Sequence, residues 1–126
     1  MDLNPFAKYT FEAIDLLDSK TSLAYTRIAC GWFADYYGMP HYPSHLDPWI
    51  NVVNMEQCWA AVPGDGTARA DFITTQDMTA FLARLMDLDK WPTVSNITGD
   101  NMSLNELVQL AEKTRGIVKR LDVAKG

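Results

Sequence analysis

The segment from Trp32 to Trp49 most constrains the fold of this chain. It reads WFADYYGMPHYPSHLDPW and combines six aromatic residues with three prolines and both histidines of the protein. Three prolines forbid a continuous helix or a central strand in this stretch. We therefore predict a short helical turn at 32–37 followed by an ordered loop. Aromatic-rich loops of this length cover a binding site more often than they merely connect two elements.

The elements around this segment mix helix and strand. Asn4-Pro5 is a typical helix start and predicts a helix to about Ser19, with a short strand over 23–28 after it. Residues 57–62 and 68–73 read as two strands joined by a turn at Asp65-Gly66. A further short strand is predicted over 94–98, and 117–118 could begin one more.

Two further helices have recognisable starts. Thr74 with Asp77 opens one helix, whose buried side is predicted to carry Phe81, Leu82, Leu85 and Leu88. Ser103 and Glu106 form a capping box for another helix that ends before Gly116. The predicted fold class is α+β: a small mixed domain of about three helices and four to five short strands.

Size and composition set the broad class. A chain of 126 residues predicts one domain. Its hydrophobic content of 48% is high for that size, which favours a homo-oligomer or a lined pocket over a single small core. The net charge of −5 and the lack of a basic cluster argue against nucleic acid as a partner.

Location is predicted from what the sequence lacks. No apolar stretch approaches the roughly 20 residues that a membrane helix needs, so we expect no membrane partner. Residues 1–5 have neither the basic start nor the apolar centre of a signal peptide. Cys30 and Cys58 are isolated and predicted to be reduced and buried. These features predict a cytoplasmic protein.

The order of motifs resembles a known family. The stretches 6–11 (FAKYTF), 23–28 (LAYTRI) and 31–33 (GWF) are similar to the middle of NmrA-like and isoflavone-reductase-like proteins, which are atypical short-chain dehydrogenase relatives. The PGDG turn at 63–66, TTQD at 74–77, and ITGD at 97–100 followed by SLNELV at 103–108 agree in order and spacing. The likeness covers roughly residues 4 to 118.

The resemblance carries an expectation about cofactors. The family's dinucleotide-binding half, with its glycine-rich strand-to-helix turn, has no counterpart in this sequence. Gly64 and Gly66 are the only clustered glycines, and they lie between two predicted strands. We therefore expect residues 1–126 to be a single truncated NmrA-like domain, corresponding to the substrate side, with no cofactor of its own and no stand-alone NAD(P)-dependent reductase activity.

Four residues are candidates for proton transfer. The resemblance implies that Lys8 matches the general base of isoflavone-type reductases, although a solvated helix lysine is the commoner fate. His41 and His45 can act as acid or base near neutral pH, or serve as loop residues. Their spacing of four does not predict a metal site, because Pro40 and Pro43 break the helix, no Glu or Cys is near, and Asp47 is the only carboxylate close by. Asp35 becomes a candidate base if burial raises its pKa, and otherwise caps a turn.

Aromatic residues are the candidates for substrate binding. Tyr9 could donate a proton or simply pack. The loop aromatics could stack on a flat aromatic or polyketide-like ligand, or form a hydrophobic cluster or a subunit contact. The predicted substrate-binding residues are Tyr9, Trp32, Phe33, Tyr36, Tyr37, Tyr42 and Trp49.

These residues favour a cofactor-independent protein that transforms a small molecule by proton transfer. The accessible reactions are isomerisation, intramolecular addition, ring closure and water elimination, of the cyclase, isomerase or lyase type found in secondary metabolism. Two other functions fit the same sequence. One is a non-catalytic ligand-binding or regulatory module of the NmrA-like kind, and the other is one subunit of a split NAD(P)-dependent reductase.

Overall fold

A computed structural model describes residues 5–121, with side chains from residue 7 onward. The helices are α1 (Pro5–Asp18), α2 (Asp35–Gly38), α3 (Thr75–Leu85) and α4 (Leu104–Arg115). The strands are β1 (Arg27–Ala29), β2 (Trp32–Phe33), β3 (Val53–Asn54), β4 (Trp59–Ala61), β5 (Arg69–Ile73), β6 (Val94–Asn96), β7 (Asp100–Ser103) and β8 (Lys119–Leu121). The α+β class is confirmed, and this part of the chain holds more short elements than the sequence predicted.

The extra elements are short ones without a sequence signal of their own. The turn predicted at 32–37 is divided between β2 and α2, and the strand predicted over 23–28 is confined to 27–29. The helices predicted at 5, 74 and 103 are all present. The expected cap at Asn4 lies outside the described residues.

The strands form three separate small sheets. One is the parallel pair β1–β6, in which Ile28 stands beside Ser95. The second has the order β2-β5-β7, with β2 parallel and β7 antiparallel to the central β5. The third has the order β3-β4-β8, with β3 antiparallel and β8 parallel to the central β4.

The turn at Asp65-Gly66 does not make a hairpin, so the pairing implied by the sequence is wrong. The strands on either side of it, β4 and β5, belong to different sheets. Local contacts hold the linking segment against the start of α4 instead. The carbonyl oxygen of Gly66 accepts from the backbone N–H of Asn105 at 3.0 Å, and the Asn105 side chain donates to the carbonyl of Asp65 at 2.9 Å. The chain therefore crosses from one sheet to the next.

The core lies between these two three-stranded sheets and α4. Its buried members are Val53, Ala60, Phe72, Leu107, Val108, Ala111 and Val118. The predicted capping box starts α4: the Ser103 hydroxyl accepts from the N–H of Glu106, and the Glu106 carboxylate accepts from the N–H of Ser103. Gly116 follows the last turn with a positive φ of 86°, which glycine adopts without strain.

The apolar side of α3 is exposed, which contradicts the prediction that it is buried. The helix has no buried residue, and Phe81 and the following Leu88 are each 52% exposed. Leu82 and Leu85 are only half-buried. The periodicity correctly predicted the helix, but its apolar side is only partly covered within residues 5–121. Cys30 and Cys58 are likewise half-buried rather than buried, and both are free thiols.

Candidate functional site

A cleft of about 820 Å³ lies between the aromatic-rich loop and the start of the third sheet. Most of its wall comes from apolar and aromatic side chains of the loop, and its remaining wall from β3 and the turn after it. The lining residues are Tyr36, Met39, Pro40, Tyr42, Pro43, Ser44, Leu46, Pro48, Trp49, Ile50, Val53, Asn54, Met55 and Glu56. A concave, mostly apolar cavity with few polar groups is typical of a small-molecule site.

Two aromatic rings meet edge to face at this cleft. The ring centroids of Tyr36 and Trp49 are 5.6 Å apart, and the ring planes are inclined by 81°. Tyr36 lies on α2, whereas Trp49 ends the proline-rich loop and is 61% exposed. This T-shaped contact ties the two ends of the loop together and leaves ring surface facing the cavity.

The buried carboxylate of Asp35 links the loop to α3. Asp35, which is only 1% exposed, accepts hydrogen bonds from the Ser44 hydroxyl at 2.7 Å and the backbone N–H of Thr75 at 2.8 Å. The Thr75 hydroxyl also donates to Asp35. The Ser44 hydroxyl accepts in turn from the N–H of Leu46 at 3.3 Å. Asp35 therefore joins α2, the loop and the first turn of α3.

The predicted upward shift of the Asp35 pKa is wrong. Burial alone would raise this pKa, but the hydrogen bonds from Thr75 and Ser44 together outweigh burial and lower it. Asp35 is thus an ionised hydrogen-bond acceptor at neutral pH. Its side chain does not line the cleft, so the structure gives it an anchoring position.

The polar edge of the cleft follows β3. Asn54 is 5% exposed, and its side-chain oxygen accepts from the N–H of Gln57 at 2.8 Å, which forms a tight turn after the strand. Glu56 stands in that turn with an exposed side chain. It is the one charged residue among those that line the cleft.

The backbone just before β3 is strained. Val52 has a positive φ of 61°, and the N–H of Val53 donates to the carbonyl of Asn51 at 2.6 Å. This three-residue turn with a positive central φ is rare, and a β-branched residue makes it costlier. Strain of this kind clusters at binding sites. Here it sets the position of Val53, which is part of the cleft wall.

Three of the predicted aromatic residues come together at the cleft, namely Tyr36, Tyr42 and Trp49. Trp32 and Tyr37 instead pack against core residue Phe72, with ring centroids 5.7 Å and 6.1 Å away. Burial raises the pKa of Tyr37 to about 12, and its hydroxyl has no hydrogen-bond partner among the described residues. Phe33 is half-buried in β2 and does not line the cleft.

Lys8 and Tyr9 lie elsewhere, on α1. The Lys8 side chain is 70% exposed, and its amine is 3.7 Å from the carboxylate of Glu12, one helical turn away. Tyr9 is 68% exposed. Neither residue lines the cleft. A cavity shared by Lys8 and the aromatic loop is therefore not formed by residues 5–121, and the role of Lys8 as a base stays a prediction.

The two histidines are exposed loop residues. His45 borders a second depression of about 500 Å³ together with Leu46, Thr75, Gln76 and Thr79, beside the start of α3. His41 lines neither cavity. Within the described part of the chain, no group of three or more His, Cys, Asp or Glu side chains is placed to hold a metal ion.

Strand β3 and its turn contribute lining residues that the sequence did not predict for the site. Val53, Asn54, Met55 and Glu56 carry no motif, and they reach the loop only because β3 pairs with β4. The prolines and aliphatic residues of the loop were also missed as wall residues, although they lie within the segment predicted to cover a site. One local signal was present: asparagine side chains often bond to backbone groups a few residues away, as the Asn54 side-chain oxygen does with the N–H of Gln57.

The curated relatives of this chain are named oxidoreductases. The chain is 34% identical over 98 residues to Oxidoreductase BOA1 of Botryotinia fuckeliana, covering 78% of this chain and 33% of that protein. It is 32% identical over 125 residues to Oxidoreductase swnN of Metarhizium robertsii, covering 94% of this chain and 36% of that protein. The chain thus spans about a third of the length of these curated relatives. No family model matches it.

The fold has a counterpart among solved structures. TunA, described as an NAD-dependent NDP-hexosamine 5,6-dehydratase involved in tunicamycin biosynthesis, matches with a TM-score of 0.59 at 18% identity. The match covers 97% of this chain and 42% of TunA. At this identity the comparison establishes a shared fold only. The chain therefore has relatives named oxidoreductases and shares its fold with part of an NAD-dependent enzyme, while membership of the NmrA-like family stays a prediction.

Across residues 5–121, no helix combines the length and the apolar character that a bilayer crossing demands.

Proposed function

We propose that this chain is the substrate-binding part of an oxidoreductase-type protein, and that its cleft holds a small, largely apolar molecule. The observation that carries this proposal is the 820 Å³ cleft, walled by Tyr36, Tyr42 and Trp49 and tied to α3 through Asp35. A volume of this size lies within the range of natural ligand pockets, about 300–1,000 Å³. The names of the relatives support the enzyme class.

We propose that the dinucleotide cofactor of such a reaction binds to a region other than residues 5–121. Pyrophosphate binding by this class uses glycines between a strand and a helix N-terminus. Gly64 and Gly66 lie instead in the segment that links β4 to β5, and Gly66 is packed against Asn105. We therefore propose that the chain works with a dinucleotide-binding α/β layer, whether that layer is a separate subunit or a further part of the same polypeptide.

Three elements are suited to receive that layer: α1, α3 and the β1–β6 pair, together called the open elements. Parallel strands occur almost only in larger sheets whose faces are both covered by helices, whereas β1 and β6 pair only with each other within residues 5–121. Exposed apolar side chains stand on both helices, including Phe11 and Leu16 on α1 and Phe81 on α3. An α/β partner would extend the sheet and cover these side chains.

The exposed apolar side chains of the open elements also bear on the oligomeric state. Without the α/β layer, we propose that the same side chains drive the homo-oligomer predicted from composition.

Proton transfer without a cofactor is the second candidate function. The cleft brings together the carboxylate of Glu56 and the phenols of Tyr36 and Tyr42, which are groups that can accept or return a proton. Isomerisation, ring closure or water elimination on a bound substrate needs only such groups. Lys8, His41 and His45 would take part only if a partner or a loop movement brought them to the cleft.

Ligand binding in the cleft can be tested by isothermal titration calorimetry. We expect 2-naphthol to bind the unmodified chain, and Trp49→Ala or Tyr36→Ala to weaken binding about tenfold, through the loss of one aromatic contact and its buried area. Trp91→Phe is the matched control, because the Trp91 indole donates to the Leu85 carbonyl away from the cleft. Unchanged affinity in both alanine variants would refute the cleft as the binding site.

A further inference from the structure

We propose that the cleft selects a small organic cation, such as a protonated amine on an apolar or aromatic body. This inference rests on the proposed function, since it names the substrate class of the same cleft. It goes beyond the flat aromatic ligand expected from the sequence, because it specifies the sign of the ligand's charge. The argument starts from the charges that line the cleft.

The residues that line the cleft carry charge of one sign only. Of the fourteen lining residues, Glu56 carries a charge, and none is Lys, Arg or His. The ion pairs of the described chain, Lys8 with Glu12 and Arg69 with Glu106, do not involve Glu56. A ligand in the cleft therefore meets a carboxylate that no basic side chain of the wall neutralises.

Aromatic faces reinforce that preference. A cation within about 6 Å of a Trp or Tyr ring centre is attracted by the negative face of the ring. Tyr36 and Trp49 stand at 81° to each other with centroids 5.6 Å apart, so their faces point in different directions at one corner of the cavity. Tyr42 adds a third ring to the wall. Aromatic rings and a carboxylate that line one cavity are the usual surroundings of an ammonium ligand.

The other polar groups of the cleft are already engaged. The Ser44 hydroxyl donates to Asp35 and accepts from the N–H of Leu46. The side-chain oxygen of Asn54 accepts from Gln57, and its amide donates to the Gln57 side chain at 3.5 Å. Glu56 and the phenols are left to meet a ligand. An anionic ligand would find no basic group here, and it would lie beside a carboxylate.

One basic side chain, that of Arg115, contacts the backbone of a residue that lines the cleft. Its Nε donates to the carbonyl oxygen of Met55 at 3.0 Å, and its side chain is not part of the cleft wall. The net charge of the chain, −5, adds attraction for a cation at longer range. The local and the overall fields therefore favour the same sign of ligand.

Three probes of similar size and different charge test this proposal: benzylammonium, benzyl alcohol and benzoate, titrated into the full chain at neutral pH with isothermal titration calorimetry as the readout. We expect benzylammonium to bind most tightly and benzoate most weakly, with about a tenfold or larger gap between the two. Glu56→Gln should remove most of the advantage of benzylammonium and leave benzyl alcohol binding unchanged. Glu12→Gln is the matched control, because it removes the same charge from α1.

Each other outcome has a defined meaning. Equal binding of benzylammonium and benzyl alcohol by the unmodified chain overturns the cation preference and leaves the proposed function standing. A loss for all three probes in Glu56→Gln, or an equal loss in Glu12→Gln, also overturns it, because the effect is then structural or nonspecific. If none of the three probes binds and 2-naphthol does not bind either, the proposed function fails as well.

Discussion

Helices α3 and α4 begin with the same kind of N-cap, but they differ in how much of their surface is buried. Thr74 caps α3 by accepting from the N–H of Asp77, and Ser103 caps α4 by accepting from the N–H of Glu106. Both helices are amphipathic by sequence. Yet α4 buries four residues, whereas α3 buries none. Capping is decided by a few neighbouring residues, but burial depends on whether the chain supplies a partner surface.

The sheets repeat this contrast. Central strands β4 and β5 each have a neighbour on both sides, and they hold core residues Ala60 and Phe72. The β1–β6 pair has no third strand among residues 5–121. The side of the molecule that builds the cleft therefore holds the buried core, and the open elements are the ones that we propose a partner surface covers. The predictions below test this difference.

The largest expected effect is on the core side of α4. Leu107 is 5% exposed, so Leu107→Ala should lower the free energy of unfolding by about 2–5 kcal/mol. The same substitution in α3, Leu82→Ala, should cost less than about 1 kcal/mol, because that side chain is only half-buried. Urea denaturation of both variants measures the difference. Equal losses would mean that α3 is as well packed as α4.

A medium effect is expected where the two sides meet, at Asp35. Asp35→Asn keeps the shape but removes the charge that accepts from Thr75 and Ser44, and should cost about 1–3 kcal/mol. Because the folded pKa is lowered, the carboxylate stabilises the fold at pH values above its unfolded pKa and loses this contribution as the pH falls through the folded value. Urea midpoints measured from pH 7 to 3 should fall more steeply for the unmodified chain than for Asp35→Asn. Parallel curves would contradict the anchoring role.

A smaller effect is expected on the open elements. Phe81 is 52% exposed on α3, so Phe81→Ser should change stability by less than about 1 kcal/mol. Self-association of the chain should nevertheless weaken by about tenfold or more, since one large apolar contact is removed from the interface. Sedimentation velocity over a range of concentrations tests this, with Gln109→Ser on the exposed side of α4 as the control. A monomeric unmodified chain at all concentrations would refute the proposed oligomer.

The sequence predicts local structure well because local structure needs few residues. The Thr74 cap, the Ser103–Glu106 box and the Gly116 helix end were all readable from spacing, and the structure confirms them. Pairing across the chain was not readable. The Asp65-Gly66 turn has a hairpin composition, but Asn105 holds its backbone from 40 positions away. Only the tertiary fold reveals that β4 and β5 belong to different sheets.

The candidate site divides along the same line. The proline and aromatic content of 32–49 located one wall of the cleft. The opposite wall, with Glu56, follows from the register of β3 against β4 and has no sequence motif. Residues expected to act together, such as Lys8 and Trp49, lie apart because the cleft and α1 belong to different sides of the molecule.

Mapping the bound ligand by amide chemical shifts tests the central claim most directly. A ¹⁵N-labelled sample of the full chain titrated with benzylammonium should show its largest shift changes in residues 36–56, and only small changes along α1. That result would place the ligand in the aromatic cleft. Largest changes around Lys8 and Tyr9, with residues 36–56 unaffected, would contradict the account and return the site to the helix implied by the sequence resemblance.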